Sequence, residues 1–528
     1  MAPKELSACS VEPGEADHAN VASDTYFRTD HLMADLGARS VRGGAVTIVS
    51  QAVKFVISTG STMVLARLLT PWDYGLIAMV TAVTGFLSMF KDMGLSMATV
   101  QRAEISHAQV STLFWINVAI STIIMGLTAA LAPAIAWFYG EPRLTWITVT
   151  LAAGFLFAGL TVQHQALLRR NMRFDTLAVI EITSLVGGIG VGIISAWHGA
   201  GYWALVLMQL AIAGTNALGC WIACGWRPGL PVHNCHLRSM FAFGGNLTAA
   251  SFLTYCHRNL DNVLIGLVWG PVPLGLYMKA YSILLMPITQ FNTPVTAVIL
   301  PALSRLQAKP ESFRRYYRKA LSAIATLGMP VVFFSFVCAE DLVLFCLGAQ
   351  WQEAIPIFRA LAPAAWIGTF NIATSWALIP LGRSDRQFRC VLAASLLIMT
   401  GFFVGLRWGP IGVAAAYSLT ICISRLPQII YAYRGTPLRL RDFVDALWKP
   451  ALTSLLAAVV LGVFRGLDLY LGSLSVYLVL HALLFVALYI IAWLVIPGGR
   501  EFLKDLSRTF AKVRQPSQFR NAAIPAAE

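Results

Sequence analysis

The sequence predicts an all-α polytopic membrane protein with about fourteen transmembrane helices. Two lobes of six helices and two further C-terminal helices account for them. Three observations carry that prediction. Of 528 residues, 57% are hydrophobic and only 12% are charged, where a soluble domain carries about 25% charged residues. Long apolar stretches recur along the chain, separated by short breaks of Pro, Gly or charge. The Lys and Arg residues gather in alternate breaks. A mean hydropathy of +0.68 excludes disorder, collagen and an ordinary soluble globule.

The chain opens with a polar stretch, residues 1–42, that has no basic start followed by an apolar run. It reads as a flexible cytoplasmic tail rather than a secretory signal. A bilayer core of about 30 Å needs roughly 20 apolar residues per helix. On that measure the spans fall near 44–69, 73–90, 108–138, 143–167, 175–197, 200–226, 239–268, 273–302, 315–339, 353–381, 387–407, 410–433, 444–465 and 473–496. A basic tail, 498–528, closes the chain.

Cytoplasmic loops collect Lys and Arg. With both ends inside, thirty of the 39 basic residues lie on the cytoplasmic side and four, Arg67, Arg143, Arg407 and Arg465, on the other. A missed helix would scramble that asymmetry, so an even number of spans is expected. The net charge of +14 is then a matter of topology, and no nucleic-acid partner is needed. Nine cysteines lie without regular spacing, mostly in apolar stretches, and read as small buried hydrophobes. The run His233–Asn234–Cys235–His236 carries metal-ligand side chains but reads as a solvated loop. No metal or cofactor is expected.

The chain repeats itself. Pro71, Gly75 and Leu76 recur as Pro271, Gly275 and Leu276, at a shift of 200 residues. The same shift lays the first span on the seventh and the second on the eighth. A duplication of six helices follows, with lobe one at 43–226, lobe two at 237–434 and an appendage at 443–497.

Several runs carry a family likeness. They are Ala66–Arg67–Leu68–Leu69–Thr70–Pro71 through Tyr74–Gly75, and Asp92–Met93–Gly94–Leu95–Ser96 with Gln101–Arg102. In the second half they are Asn259–Leu260–Asp261–Asn262 with Ile265–Gly266, then Tyr277, Ala280 and Pro301–Ala302–Leu303–Ser304. Over about residues 43–434 the chain resembles the polysaccharide-transporter branch of the multidrug/oligosaccharidyl-lipid/polysaccharide flippase superfamily. The resemblance implies a flippase for undecaprenyl-pyrophosphate-linked oligosaccharides in a bacterial inner membrane. It implies service to lipopolysaccharide, capsule or exopolysaccharide synthesis. A polymerase and a chain-length regulator are the partners it suggests.

Five cations lie inside the spans: Lys54, Arg258, Lys279, Arg359 and Arg425. A Lys or Arg at the bilayer centre costs about 2.5–3.5 kcal/mol on insertion scales, so they should face a hydrated interior or snorkel to an interface. In the first span Thr47, Gln51, Lys54, Ser58 and Ser61 step by four and three and make one polar stripe. In the eighth, Lys279, Ser282, Thr289, Thr293 and Thr296 share a face. In the seventh, Arg258 and Asp261 align beside Asn259 and Asn262. A cationic cavity built from these residues would replace part of the hydration of a pyrophosphate. Each has a plainer reading. Arg258 and Asp261 are three apart, a spacing that suits a simple ion pair; Arg359 lies near the start of its span; Arg425 has Ser424 and Gln428 beside it. Glu181 is the other deep carboxylate, and it either pairs with a lobe-one cation or joins Asp261 in ion coupling.

Two other functions compete. A multidrug exporter of the same fold would favour acidic cavity residues, whereas the deep cations outnumber Asp261 and Glu181. A membrane polymerase or ligase would carry a sizeable exported catalytic loop, and the longest outer connection is only about 340–352. There is no Gly-x-x-x-x-Gly-Lys-Ser/Thr phosphate loop. The chain is expected not to be an enzyme.

Overall fold

Helix signals in the sequence appear in the structure as caps. In the computed structural model, which describes residues 27, 36–91, 95–101, 105–231, 255, 258–466 and 473–501, Thr70 and Asp73 form a capping box. The Thr70 amide donates to Asp73 Oδ2 at 2.8 Å and the Asp73 amide donates to Thr70 Oγ1 at 3.4 Å. Pro71 occupies the first helical turn, where a missing N–H costs nothing. Together they separate α1 (Leu36–Leu68) from α2 (Pro71–Ser88). A short α3 (Leu95–Gln101) follows. Ser106 and Gln109 form a second capping box at the start of α4 (His107–Tyr139), and Gly140 ends that helix at φ +68°. Then come α5 (Leu144–Arg170), α6 (Phe174–Trp197) and α7 (Tyr202–Cys224).

In the second half, residues 258–269 are helical and are called α8. They are followed by α9 (Pro271–Arg305), α10 (Pro310–Val337), α11 (Ala339–Leu347), α12 (Ala354–Gly368), α13 (Ala373–Leu378), α14 (Ser384–Gly405), α15 (Gly409–Tyr433), α16 (Leu440–Arg465) and α17 (Leu474–Val495). Every regular element among the described residues is a helix. By length and composition, nine stretches among them suit a bilayer crossing; one, Ser384–Tyr433, holds both α14 and α15.

The expected span at 353–381 departs from a single helix. It breaks after Gly368, where tight turns replace α-helical bonds: the Phe370 amide bonds the Ile367 carbonyl and the Ala373 amide bonds the Phe370 carbonyl. The expected tails, the His233–His236 run and the first part of the span at 239–268 lie largely or wholly outside the described residues.

Helices α1, α2 and α4–α7 pack on one another, and so do α9, α10, α12, α14 and α15. The two groups meet mainly through α2 and α9. Glycine decides that contact. A Cβ on Gly75 would overlap the Pro271 carbonyl, and one on Gly275 would overlap the Pro71 carbonyl. A core of large apolar residues surrounds the crossing, including Leu76, Met79, Ile265, Leu276 and Trp351.

Exposed tryptophans mark the rim poor in basic residues. Trp137, Trp146, Trp197, Trp269 and Trp408 all stand at helix ends on that side, as interfacial tryptophans do in a bilayer. At the opposite rim α16 is tied to α10. Arg314 Nε contacts Asp442 Oδ2 at 2.6 Å, and Arg318 reaches Asp442 and Asp445. The other end of α16 is fixed by Arg465 Nη2, 2.8 Å from Asp341 Oδ2.

Candidate functional site

Helix α1 packs on α6, and this decides the state of its lysine. Lys54 Nζ is 2.5 Å from Glu181 Oε2. Neither side chain is sealed: 21% of the lysine side chain and 34% of the glutamate side chain remain exposed. Lys54 lacks an acid on its own helix, as its neighbours in sequence indicate, but the acid comes from a helix 127 residues further on. Glu181 thus meets a cation of the first helix group, one of the two roles its sequence position leaves open. Gln51 is exposed and Ser58 half-buried on the same helix.

On α8, Arg258 is exposed and makes no ion pair with Asp261. Asp261 is almost fully buried and accepts a hydrogen bond from the Tyr277 hydroxyl at 2.8 Å. Its other oxygen accepts from the Asn262 amide at 2.9 Å. Burial explains the choice of partner. A hydroxyl satisfies a carboxylate in a packed helix crossing without bringing a second charge out of water. Asn259 Nδ2 donates to the Tyr255 carbonyl at 3.1 Å, and Asn262 Oδ1 is buried with no partner among the described residues.

Lys279 stands one turn beyond Gly275 on α9. Its Nζ lies 3.8 Å from the centroid of the Tyr74 ring on α2. A cation over an aromatic face is stabilised by the ring quadrupole without being neutralised. The Tyr74 ring meets Trp351 edge-on at 5.5 Å, and Trp351 Nε1 donates to the Ala66 carbonyl at 2.8 Å. Lys279 thus sits within the junction of the two helix groups, with no carboxylate partner among the described residues. Ser282 is half-buried a turn further on, and Thr293 is exposed.

The remaining two cations are elsewhere. Arg425 on α15 is 5% exposed; its Nη2 donates to Asn371 Oδ1 in the break between α12 and α13. The structure therefore seals it within the second helix group. Arg359 is exposed on α12. No contact among the described residues gathers all five cations into one cluster. Tyr74, Tyr277 and Asn371 are the partners that sequence reasoning did not assign. Tyr74 was visible as part of the Pro71–Gly75 run, but nothing in periodicity says which cation it meets.

Among the described residues neither Arg258 nor Lys279 has a carboxylate partner, Asp261 is held by Tyr277, and the Lys54–Glu181 pair is partly exposed.

Known proteins resemble this chain in both sequence and fold. It is 23% identical to the lipopolysaccharide biosynthesis protein WzxC of Escherichia coli (strain K12), over 80% of this chain and 87% of that protein. It is 26% identical to the teichuronic acid biosynthesis protein TuaB of Bacillus subtilis (strain 168), over 82% and 89%. It is 24% identical to the succinoglycan biosynthesis transport protein ExoT of Rhizobium meliloti (strain 1021), over 60% and 64%. Among solved structures, the lipid II flippase MurJ in an inward closed conformation superposes with a TM-score of 0.69 at 14% identity, covering 87% of this chain and 98% of that one. An inward-facing multidrug transporter of the MATE family superposes at 0.58, covering 76% and 99%. These likenesses show a shared all-α membrane fold. The family model described as "Polysaccharide biosynthesis protein" matches residues 64–356, a stretch that holds the α2–α9 crossing, Lys279 and Asp261. With more than half of its length so matched, the chain belongs to the polysaccharide biosynthesis protein family.

Proposed function

We propose that the protein is a lipid-linked oligosaccharide flippase. It moves undecaprenyl-pyrophosphate-linked repeat units across the bacterial inner membrane, from the cytoplasmic to the outer leaflet, with both termini cytoplasmic. The observation that carries this reading is Lys279, a cation with no carboxylate partner among the described residues, at the junction of two helix groups in a polysaccharide-family sequence. The names of WzxC and ExoT, which refer to polysaccharide biosynthesis and transport, support it.

Two lobes, 43–226 and 237–434, alternate about the α2–α9 crossing in this mechanism. The diphosphate enters as a hydrated anion. Arg258 and Lys279 replace part of its hydration, and charge-assisted hydrogen bonds make that exchange favourable. Lys54 trades the Glu181 carboxylate for a phosphate oxygen. Gln51, Ser58, Asn259, Asn262, Ser282 and Thr293 offer polar contacts along the way. The polyprenyl chain stays in lipid between the lobes. An inside-negative potential drives an anionic headgroup outward by about 2.3 kcal/mol per charge per 100 mV, and no bond is made or broken. Arg425, sealed against Asn371, has a structural part in this scheme.

The test follows the lipid-linked intermediate. Deletion of the protein is expected to leave undecaprenyl-linked oligosaccharide on the inner leaflet, with none reaching an impermeant reporter outside. Substitution of both Lys54 and Lys279 by Ala is expected to give the same phenotype at normal protein level. Undiminished export in the double variant rejects the proposed cavity, and the absence of any accumulated intermediate after deletion rejects transport.

A further inference from the structure

Arginines on the basic rim divide into two sets. Arg314, Arg318 and Arg441 reach Asp442 or Asp445. Around the start of α14 the pattern changes. Arg383 Nη1 donates to the Arg434 carbonyl at 3.0 Å, and Arg386 Nη1 donates to the same oxygen at 2.5 Å. Arg383 Nη2 also donates to the Gly435 carbonyl. Gly435 has φ +69°, and a Cβ there would stand 3.2 Å from Arg383 Nη1. The side chain of Arg434 is exposed beside them. Among the described residues no carboxylate forms an ion pair with any of the three; Asp385, in the first turn of α14, is exposed and engages none of them.

Two guanidinium groups sharing one carbonyl repel each other. The C-terminal end of α15 offsets part of this, since a helix end supplies only about half an elementary charge. Three arginines therefore leave a surplus of positive charge, with unspent donors on each fork. Helix α14, which carries Arg386, also carries an apolar stripe. Phe388, Leu396 and Phe403 are each more than half exposed and recur at helical spacing on one face.

We propose that Arg383, Arg386 and Arg434 hold the phosphate of an anionic phospholipid in the cytoplasmic leaflet, with its acyl chain along Phe388, Leu396 and Phe403. Basic pockets on the cytoplasmic ends of transmembrane helices favour such headgroups. The stripe gives a lipid an advantage over a free phosphate. This site is separate from the junction around Lys279 and does not depend on the flippase reading.

Native mass spectrometry of the delipidated full-length protein tests it, with phosphatidylglycerol or phosphatidylcholine added. Phosphatidylglycerol is expected to be retained preferentially, and excess inorganic phosphate to leave the adduct in place. The double substitution Arg386→Gln and Arg434→Gln is expected to weaken retention roughly thirtyfold. Arg434→Gln alone, which removes an exposed side chain with no bond to the other described residues, is expected to weaken it about fivefold while the protein stays folded. Equal retention of both lipids, retention unchanged in Arg434→Gln, or ready displacement by inorganic phosphate each overturns the proposal.

Discussion

Gly75 and Gly275 face each other's helix start across the junction. The space above Gly75 is filled by the Pro271 carbonyl, and the space above Gly275 by the Pro71 carbonyl. Two positions 200 residues apart in the chain are thus related by a local two-fold in space. A repeat in the sequence has become the contact between the two helix groups.

Alanine at either glycine should push α2 and α9 apart. Each of Gly75→Ala and Gly275→Ala is expected to cost about 1–3 kcal/mol, the usual range for overpacking, and the two costs should be similar. One displacement relieves both overlaps, so the double variant should cost less than the sum. Thermal unfolding of the purified protein measures this. Strictly additive costs would mean that the two overlaps relax independently.

Lys54 and Glu181 separate stability from export. Removing Glu181 alone leaves a lysine unmatched within the helix group. The cost should fall between the ~1 kcal/mol of an exposed pair and the ~3–5 kcal/mol of a fully buried one. Lys54→Met with Glu181→Gln should recover stability relative to either single change. It should not recover export, because the cation is gone. A double variant that exports normally assigns the pair to structure alone.

Tyr74 tests the cation–π contact. Tyr74→Phe keeps the ring face and should leave stability near that of the unsubstituted protein. Tyr74→Leu should lose about 0.5–2 kcal/mol of stability, read by thermal unfolding of the purified protein. Equal behaviour of the two substitutions would show that Lys279 does not lean on the ring.

Arg425 provides the contrast. It is buried against Asn371, away from Lys279 and Tyr74. Replacing a buried charge by an apolar side chain of similar length is often neutral or stabilising, so Arg425→Met should fold and export, while Lys279→Met should fold and fail. An export reporter in cells expressing equal amounts of the two variants decides this. Loss of export in a well-folded Arg425→Met protein would place the arginine in the transport path.

Periodicity exposed the polar face of α1 and the order of the helices, because side-chain direction along a helix follows from spacing alone. It could not choose partners. The three-residue interval between Arg258 and Asp261 invites an ion pair, yet Asp261 turns into the packed side of α8 and takes Tyr277 while Arg258 stays exposed. The broken span at 353–381 was equally hidden, since its largely apolar composition runs on both sides of the break, and the turn at Phe370–Asn371 is held by neighbours.

From its residues alone this chain fixed a membrane location, a run of apolar helices and a lopsided distribution of basic loops, because water and hydrocarbon sort side chains locally. Only the tertiary structure decided which charges are neutralised. Glu181 reaches Lys54, Tyr74 covers Lys279 and Asn371 holds Arg425. Each partner comes from a different helix, and the closeness of helices is a property of their packing, which no single segment encodes.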